Sequence, residues 1–295
     1  MARHIWKCKN DQEAEIVGGA LMSLVHYTDA NALKSIFEKP ALWLTDIRFL
    51  NDAREFNSGI EFIRKAAFQP IQSLWFNFEH VDGAIDFVRE SISNDVSFSL
   101  SEDPLFVCSF SKSKDLLSQW RGYGMYAIEF DRKALSEYLP SIRDCIYSDH
   151  DKQEHARRAI TKSAEIASKE MGTEAGRVGI KTLDALSEIT GLAATFKEVG
   201  FQEENEVRSI VTSDSTGSDI RFRARGDLII PYIEMEIGIE CIKSVQIGPV
   251  RNADLAKSSI EKMVEVALRR NQVNGGNIEH EIEVQQTALS YRSMS

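Results

Sequence analysis

Short apolar runs rich in β-branched and aromatic residues recur from one end of this chain to the other, with helical stretches between them. That alternation is the strongest constraint on the fold. Strands that lie on both sides of every helical stretch must share one sheet system, so separate all-α or all-β units are excluded. The clearest run is PLFVCSFS at 104–111; others are LMSLVHYT (21–28), ALWLTD (41–46), MYAIEFD (125–131) and IRDCIYS (142–148). After residue 200 come EVRSIVT (206–212), DIRFRA (219–224), DLIIPYI (227–233), CIKSVQIG (241–248) and IEVQQTA (282–288).

Helical spacing appears at Asp29–Lys39, where Leu33, Ile36 and Phe37 share a face and Thr28 or Asp29 can cap; Pro40 ends it. Further helical patterns cover 53–95, Leu116–Arg121 and Ala253–Arg270, and Phe49–Asp52 reads as a turn. Residues 149–198 are charged and alanine-rich, with two helical stretches broken near Gly172–Gly179. The expected fold is therefore α+β: a mixed or antiparallel split sheet flanked by helices, one domain over 1–295, with a helical insertion at about 149–198. The 295 residues suffice for one large core.

The formal net charge of −10 makes the protein a poor non-specific binder of nucleic acid, although a local basic face could still bind it. Cys8, Cys108, Cys145 and Cys241 have no zinc-ligand spacing, and Cys108 and Cys241 sit in strand-like runs as buried thiols. The expectation is a reduced, cytoplasmic compartment, with no signal peptide, membrane span or metal site. His150 and His155, five apart, do not share a helix face.

Several patterns carry candidate chemistry. His26-Tyr27-Thr28 closes the first strand, as either a ligand-binding edge or an ordinary polar strand end. Ser109 and Ser111 share a strand face and can hold a ligand or cap the next segment. Glu204, Glu206 and Arg208 form a row on one expected strand face, read as a solvated ion pair or as a working carboxylate pair with a fixed Arg partner. Trp120 and Tyr123 meet across a helical turn, for packing or for stacking on a base. Arg221, Arg223 and Arg225 form a stripe that is either solvated or a phosphate- or nucleic-acid-binding face.

Taken in order, these segments resemble a known family. The series is His26-Tyr27-Thr28, Leu42-Trp43-Leu44, Leu50-Asn51-Asp52 with Glu55, Val107 to Ser111, Trp120 with Tyr123, and Ile128 to Asp131. It continues with Phe201, Glu204, Glu206 and Arg208, Ile247-Gly248-Pro249, and Ser290-Tyr291-Arg292. The chain resembles the bacterial domain-of-unknown-function 2971 family over about 24–292, a family name that carries no established reaction.

A fainter resemblance links the order His26, Ser109/Ser111, Glu204-x-Glu206 to ADP-ribosyltransferases, and the His-Tyr-Thr opening to their toxin-type branch. That resemblance implies NAD as substrate, a nucleic-acid or protein acceptor, and a toxin or phage-defence setting. His26, Tyr27 and Thr28 would hold the nicotinamide ribose, Ser109 or Ser111 would brace the pocket, and Trp120 or Tyr123 would stack on nicotinamide. Glu206 would stabilise the cationic ribose and orient its 2′-hydroxyl, Glu204 would help the acceptor, His26 would complete the catalytic set, and Arg208 would take part in binding NAD. Two other readings stay open: a non-catalytic sensor or binding module with a degenerate pocket, and a nucleic-acid-processing factor using the arginine stripe.

Overall fold

A computed structural model describes residues 23–50, 53–71, 79–93, 104–173, 176–213, 218–277 and 279–289. Cys8, the start of the first expected strand at 21–22, Asn51-Asp52 and Ser290-Tyr291-Arg292 lie outside the described residues, as does the Glu55 side chain. The elements run β1 (Ser23–Thr28), α1 (Ala30–Glu38), β2 (Ala41–Asp46), α2 (Ala53–Ala67), α3 (Val81–Ser93) and β3 (Leu105–Ser111). There follow α4 (Leu117–Tyr123), β4 (Tyr126–Asp131), α5 (Arg132–Leu135), β5 (Ile142–Asp144), α6 (Asp149–Thr173) and α7 (Ile180–Ala193). The chain then returns to the sheet with β6 (Glu206–Thr212), β7 (Ile220–Arg225), β8 (Leu228–Glu236), β9 (Ile242–Ile247), α8 (Ala253–Val273) and β10 (Glu283–Gln286). No helix among the described residues is long and apolar enough to cross a membrane.

The fold is α+β, and its sheet is mixed because β10 runs parallel to β9 while the other pairs are antiparallel. The sheet forks at β3. One edge of β3 pairs with β6 along its whole length, from Leu105↔Thr212 to Ser111↔Glu206. Its other edge is divided: β1 reaches it only at Val25↔Ser111, and β2 only at Thr45↔Val107 and Asp46↔Phe106. Two arms leave that edge, β1–β4–β9–β10 and β2–β8–β7. Between them, Cys108, Ser109 and Phe110 have no strand partner on that edge among the described residues.

Strand alternation sends β3 side chains to two cores. Phe106, Cys108 and Phe110 join Leu33, Ile36 and Phe37 of α1 and Ile260 and Val264 of α8 on one face. Leu105 and Val107 join α2, α3, α6 and α7 on the other. The stretch 149–198 therefore covers a sheet face rather than hanging from it: Ala156, Ile160, Ala164 and Ala167 of α6 and Ile189 and Ala193 of α7 are all buried there. Its alanines let the helices approach closely, which explains the composition that marked the block.

Three expected boundaries change. The run at 142–148 is a strand only to Asp144; Ile146 then bridges Phe196 in parallel, so the second helical stretch ends at Ala193, short of 198. Residues 47–49 form a 3-10 helix capped by Asp46, where a turn is expected from Phe49. Glu204 is not in a strand at all: Val199–Glu204 is a 3-10 helix that ends at Asn205 in the left-handed conformation, φ 42°. Asparagine tolerates that conformation, and here its side chain donates to Ser113 Oγ at 2.8 Å.

Candidate functional site: a cleft at the fork in the sheet

Where β1 and β2 part, a cavity of about 720 Å³ opens, within the usual range for small-molecule sites. Its lining includes His26, Thr28, Trp43, Ser109, Tyr123, Glu204, Glu206, Arg223 and Arg225. Tyr27 and Ser111 also border it. Trp120 and Arg221 do not.

His26 explains how the fork holds together. A strand that loses its neighbour leaves carbonyls needing donors. His26 Nδ1 lies 2.9 Å from the Ser109 carbonyl and donates to it, standing in for the missing strand. Burial lowers the His26 pKa, partly offset by that hydrogen bond, so the ring is neutral at pH 7 and Nε2 is an acceptor.

Two of the candidate hydroxyls serve the scaffold. Ser111 Oγ is 2.6 Å from the Glu204 carbonyl and accepts from Ser113 N at 2.9 Å, pinning the 3-10 turn to β3. Tyr27 Oη donates to the Ser113 carbonyl at 3.2 Å and accepts from Leu116 N at 3.1 Å. Thr28 is buried, and its carbonyl lies against Gly124. A Cβ on Gly124, at φ 128°, would meet that oxygen at 2.4 Å, so glycine is required where α4 turns into β4.

The two aromatics of α4 part company. Trp120 is 1% exposed, stacks edge-on against Tyr27 at 4.8 Å and donates from Nε1 to Asp115 at 2.9 Å. Gly248 packs on its ring, where a Cβ would stand 2.8 Å from Cε3. Trp120 is therefore a core residue and cannot stack on a ligand, which corrects the sequence-based expectation. Tyr123 is 42% exposed and lines the cavity.

The row Glu204, Glu206, Arg208 is also revised. Glu206 and Arg208 share β6 and are both buried; Arg208 Nε donates to Glu206 Oε1 at 2.7 Å, and Nη2 to Oε2 at 3.2 Å. Lys197, 2% exposed, is a third member that the sequence reading missed. Its Nζ donates to Glu206 at 2.6 Å and to Glu204 at 2.7 Å, and lies 5.3 Å from the Phe201 ring. Two carboxylates and two cations thus balance. Burial raises the Glu206 pKa, but the Arg208 and Lys197 charges and hydrogen bonds outweigh it and hold it at about 2. The signal for Lys197 was the alternation Thr195-Phe196-Lys197, hidden by the helical composition before it.

Nor does the arginine stripe act as a unit. Arg221, which does not line the cavity, pairs with Glu234, which does, at 2.7 Å. Arg223 lies 5.3 Å from the Trp43 ring and 5.8 Å from Tyr232, and donates from Nη2 to Thr45 Oγ1 at 2.8 Å. Trp43, also overlooked, is 38% exposed on the wall formed by β2 and β8. On α6, His150, Asp151 and Glu154 bring ligand atoms within 4.8 Å of one another, but they are exposed and Glu154 is already paired with Arg158.

The family model described as "Protein of unknown function (DUF2971)" matches residues 119–209. That stretch holds α4, Glu204 and Glu206, which border the cleft, and Lys197 and Arg208, which pair with Glu206 behind the lining. No curated protein and no solved structure matches the chain.

Proposed function

We propose that this chain, whose residues 119–209 match the DUF2971 family model, is an NAD-dependent ADP-ribosyltransferase-like enzyme acting at the fork. The observation that carries this reading is convergence. His26 and Thr28, Ser109, Tyr123, and Glu204 with Glu206 come from four separate segments, and all border one cavity of about 720 Å³.

In this reading neutral His26 and Thr28 hold the nicotinamide ribose, and Tyr123 lies against the nicotinamide ring. The bond from ribose C1′ to the nicotinamide nitrogen breaks, and its electron pair neutralises the departing ring. The cationic ribose meets the ionised carboxylates, an interaction that strengthens only as charge develops. A nucleophile on the acceptor, a protein or nucleic acid, then bonds to C1′, and its proton passes to Glu204. Glu204 suits proton transfer better than Glu206, because among the described residues Lys197 alone pairs with its side chain, which is 17% exposed. Glu206 supplies fixed negative charge.

The test is release of nicotinamide from labelled NAD by purified protein with cell extract, for wild type and Glu204→Gln. Turnover that falls about a hundredfold or more in the variant, with NAD affinity kept, supports the mechanism. Equal turnover in both overturns it.

One observation favours a second reading, a non-catalytic nucleotide-binding module. Glu206 is enclosed by two cations, which offset the charge a cationic transition state would use. NAD binding with no nicotinamide release under any acceptor would decide for that module.

A further inference from the structure

We propose that Arg223 and Arg225, on the wall of the cleft opposite His26, form an anion subsite for the diphosphate of a nucleotide. The proposal deepens the reading of the fork as a nucleotide cleft and rests on it.

The argument starts from charge left uncompensated. Alternation puts Arg221, Arg223 and Arg225 on one face of β7, with consecutive members about 7 Å apart along the strand. Arg221 is neutralised by Glu234. Arg223 and Arg225 form no ion pair among the described residues, yet both border the cavity. Arg223 is held in place rather than solvated: the Trp43 and Tyr232 rings lie beside it and Thr45 takes one N–H. Its Nε is buried with no hydrogen-bond partner. Asp29 acts on it only from a distance, and Arg225 opposes it, so burial and the neighbouring cation both lower its pKa. Two adjacent guanidinium groups, one fixed by aromatic rings and lacking a counter-charge, are in a costly state that a bound anion relieves. Guanidinium forks match phosphate oxygens in geometry.

The surroundings choose among anions. Trp43 lines the same cavity and offers an aromatic surface for a base. A nucleic-acid backbone fits less well, since Arg221 is already paired, Glu38, Glu204 and Glu234 also line the cavity, and the chain carries a net charge of −10. The sequence-based stripe of three phosphate contacts thus becomes a subsite of two, facing inward.

Calorimetric titration with ADP-ribose, ADP and nicotinamide riboside tests this. ADP-ribose and ADP should bind the wild type, while nicotinamide riboside, which lacks phosphate, should bind at least tenfold more weakly. Arg225→Ala and Arg223→Lys should each weaken ADP-ribose roughly 10- to 100-fold, the range for a charge-assisted contact. The lysine keeps the charge and loses the fork. Arg221→Ala should leave affinity unchanged, and melting temperatures report whether each variant folds. ADP-ribose binding without NAD turnover would count against the enzyme and leave the subsite standing. Affinity for ADP-ribose that is equal in wild type and Arg225→Ala overturns the subsite even if NAD is turned over. So does tight binding of a single-stranded oligonucleotide by a wild type that ignores ADP-ribose.

Discussion

Glu206→Gln tests the ion network and gives a pH signature that ordinary destabilisation does not. The amide keeps the shape and one acceptor oxygen but leaves Arg208, which is 1% exposed, without its counter-charge. Removing one partner of a buried pair costs about 3–5 kcal/mol. Here about 3 kcal/mol is expected, because Glu204 still holds Lys197 and the Ala194 carbonyl still accepts from Arg208 at 2.7 Å. Linkage gives a second route to the same size. Glu206 titrates at about 2 in the folded protein against 4.5 for a free glutamate. At 1.36 kcal/mol per unit, that gap is worth roughly 3 kcal/mol. The folded pKa is depressed, so the stabilisation is complete above about pH 4.5 and is lost as pH falls towards 2. By pH 3, about 2 kcal/mol of it should be gone. Urea unfolding followed by tryptophan fluorescence at pH 7, 5, 4 and 3 measures this in wild type and variant. Other carboxylates lower both curves alike, so the gap between them isolates Glu206. It should be near 3 kcal/mol at pH 7 and shrink to about 1 at pH 3. A gap that stays constant, or is absent at pH 7, refutes the reasoning.

Three further outcomes follow from the packing. Gly124→Ala should cost roughly 2–3 kcal/mol in unfolding free energy, since the backbone there favours glycine and the Thr28 carbonyl blocks the methyl; a neutral substitution would contradict the turn. Trp120→Ala should cost about 3–5 kcal/mol, and retained stability with lost NAD affinity would restore its stacking role. Cys108, Cys145 and Cys241 are buried, and burial pushes Cys108 and Cys241 up to about 12; a thiol reagent should modify Cys108 and Cys241 only on unfolding, and fast labelling of either in the native protein would count against the packing.

Much of the architecture was legible because it depends on local alternation. In PLFVCSFS the odd and even positions go to different cores, and Pro40, Gly124 and the Asp29 cap mark real element ends. The split sheet was expected, but the position of the split was not, since it depends on which end of β3 each neighbour reaches. Glu204 was misplaced because one left-handed residue, Asn205, interrupts a strand pattern that otherwise reads straight through. Lys197 was lost inside a helical composition that ends four residues earlier, at Ala193. Trp120 and Tyr123 show the limit of spacing: three residues apart, one is enclosed by Tyr27 and Gly248 while the other opens on the cavity. Arg221, Arg223 and Arg225 have the same side-chain chemistry and parity, and only the tertiary position of Glu234 separates them.

The divided edge of β3 also governs how a bound molecule would act on the chain. His26 and Thr28 belong to one arm, Trp43, Arg223 and Arg225 to the other, and among the described residues the strand ladder joins the arms through β3 alone. A molecule that reaches from one to the other supplies a cross-link that the ladder does not. Its effect would register in amide exchange as added protection on β1 and β2 together, although no hydrogen bond of the ladder joins those two strands. Affinity at the fork is thus also a measure of how firmly the two arms are held at one separation.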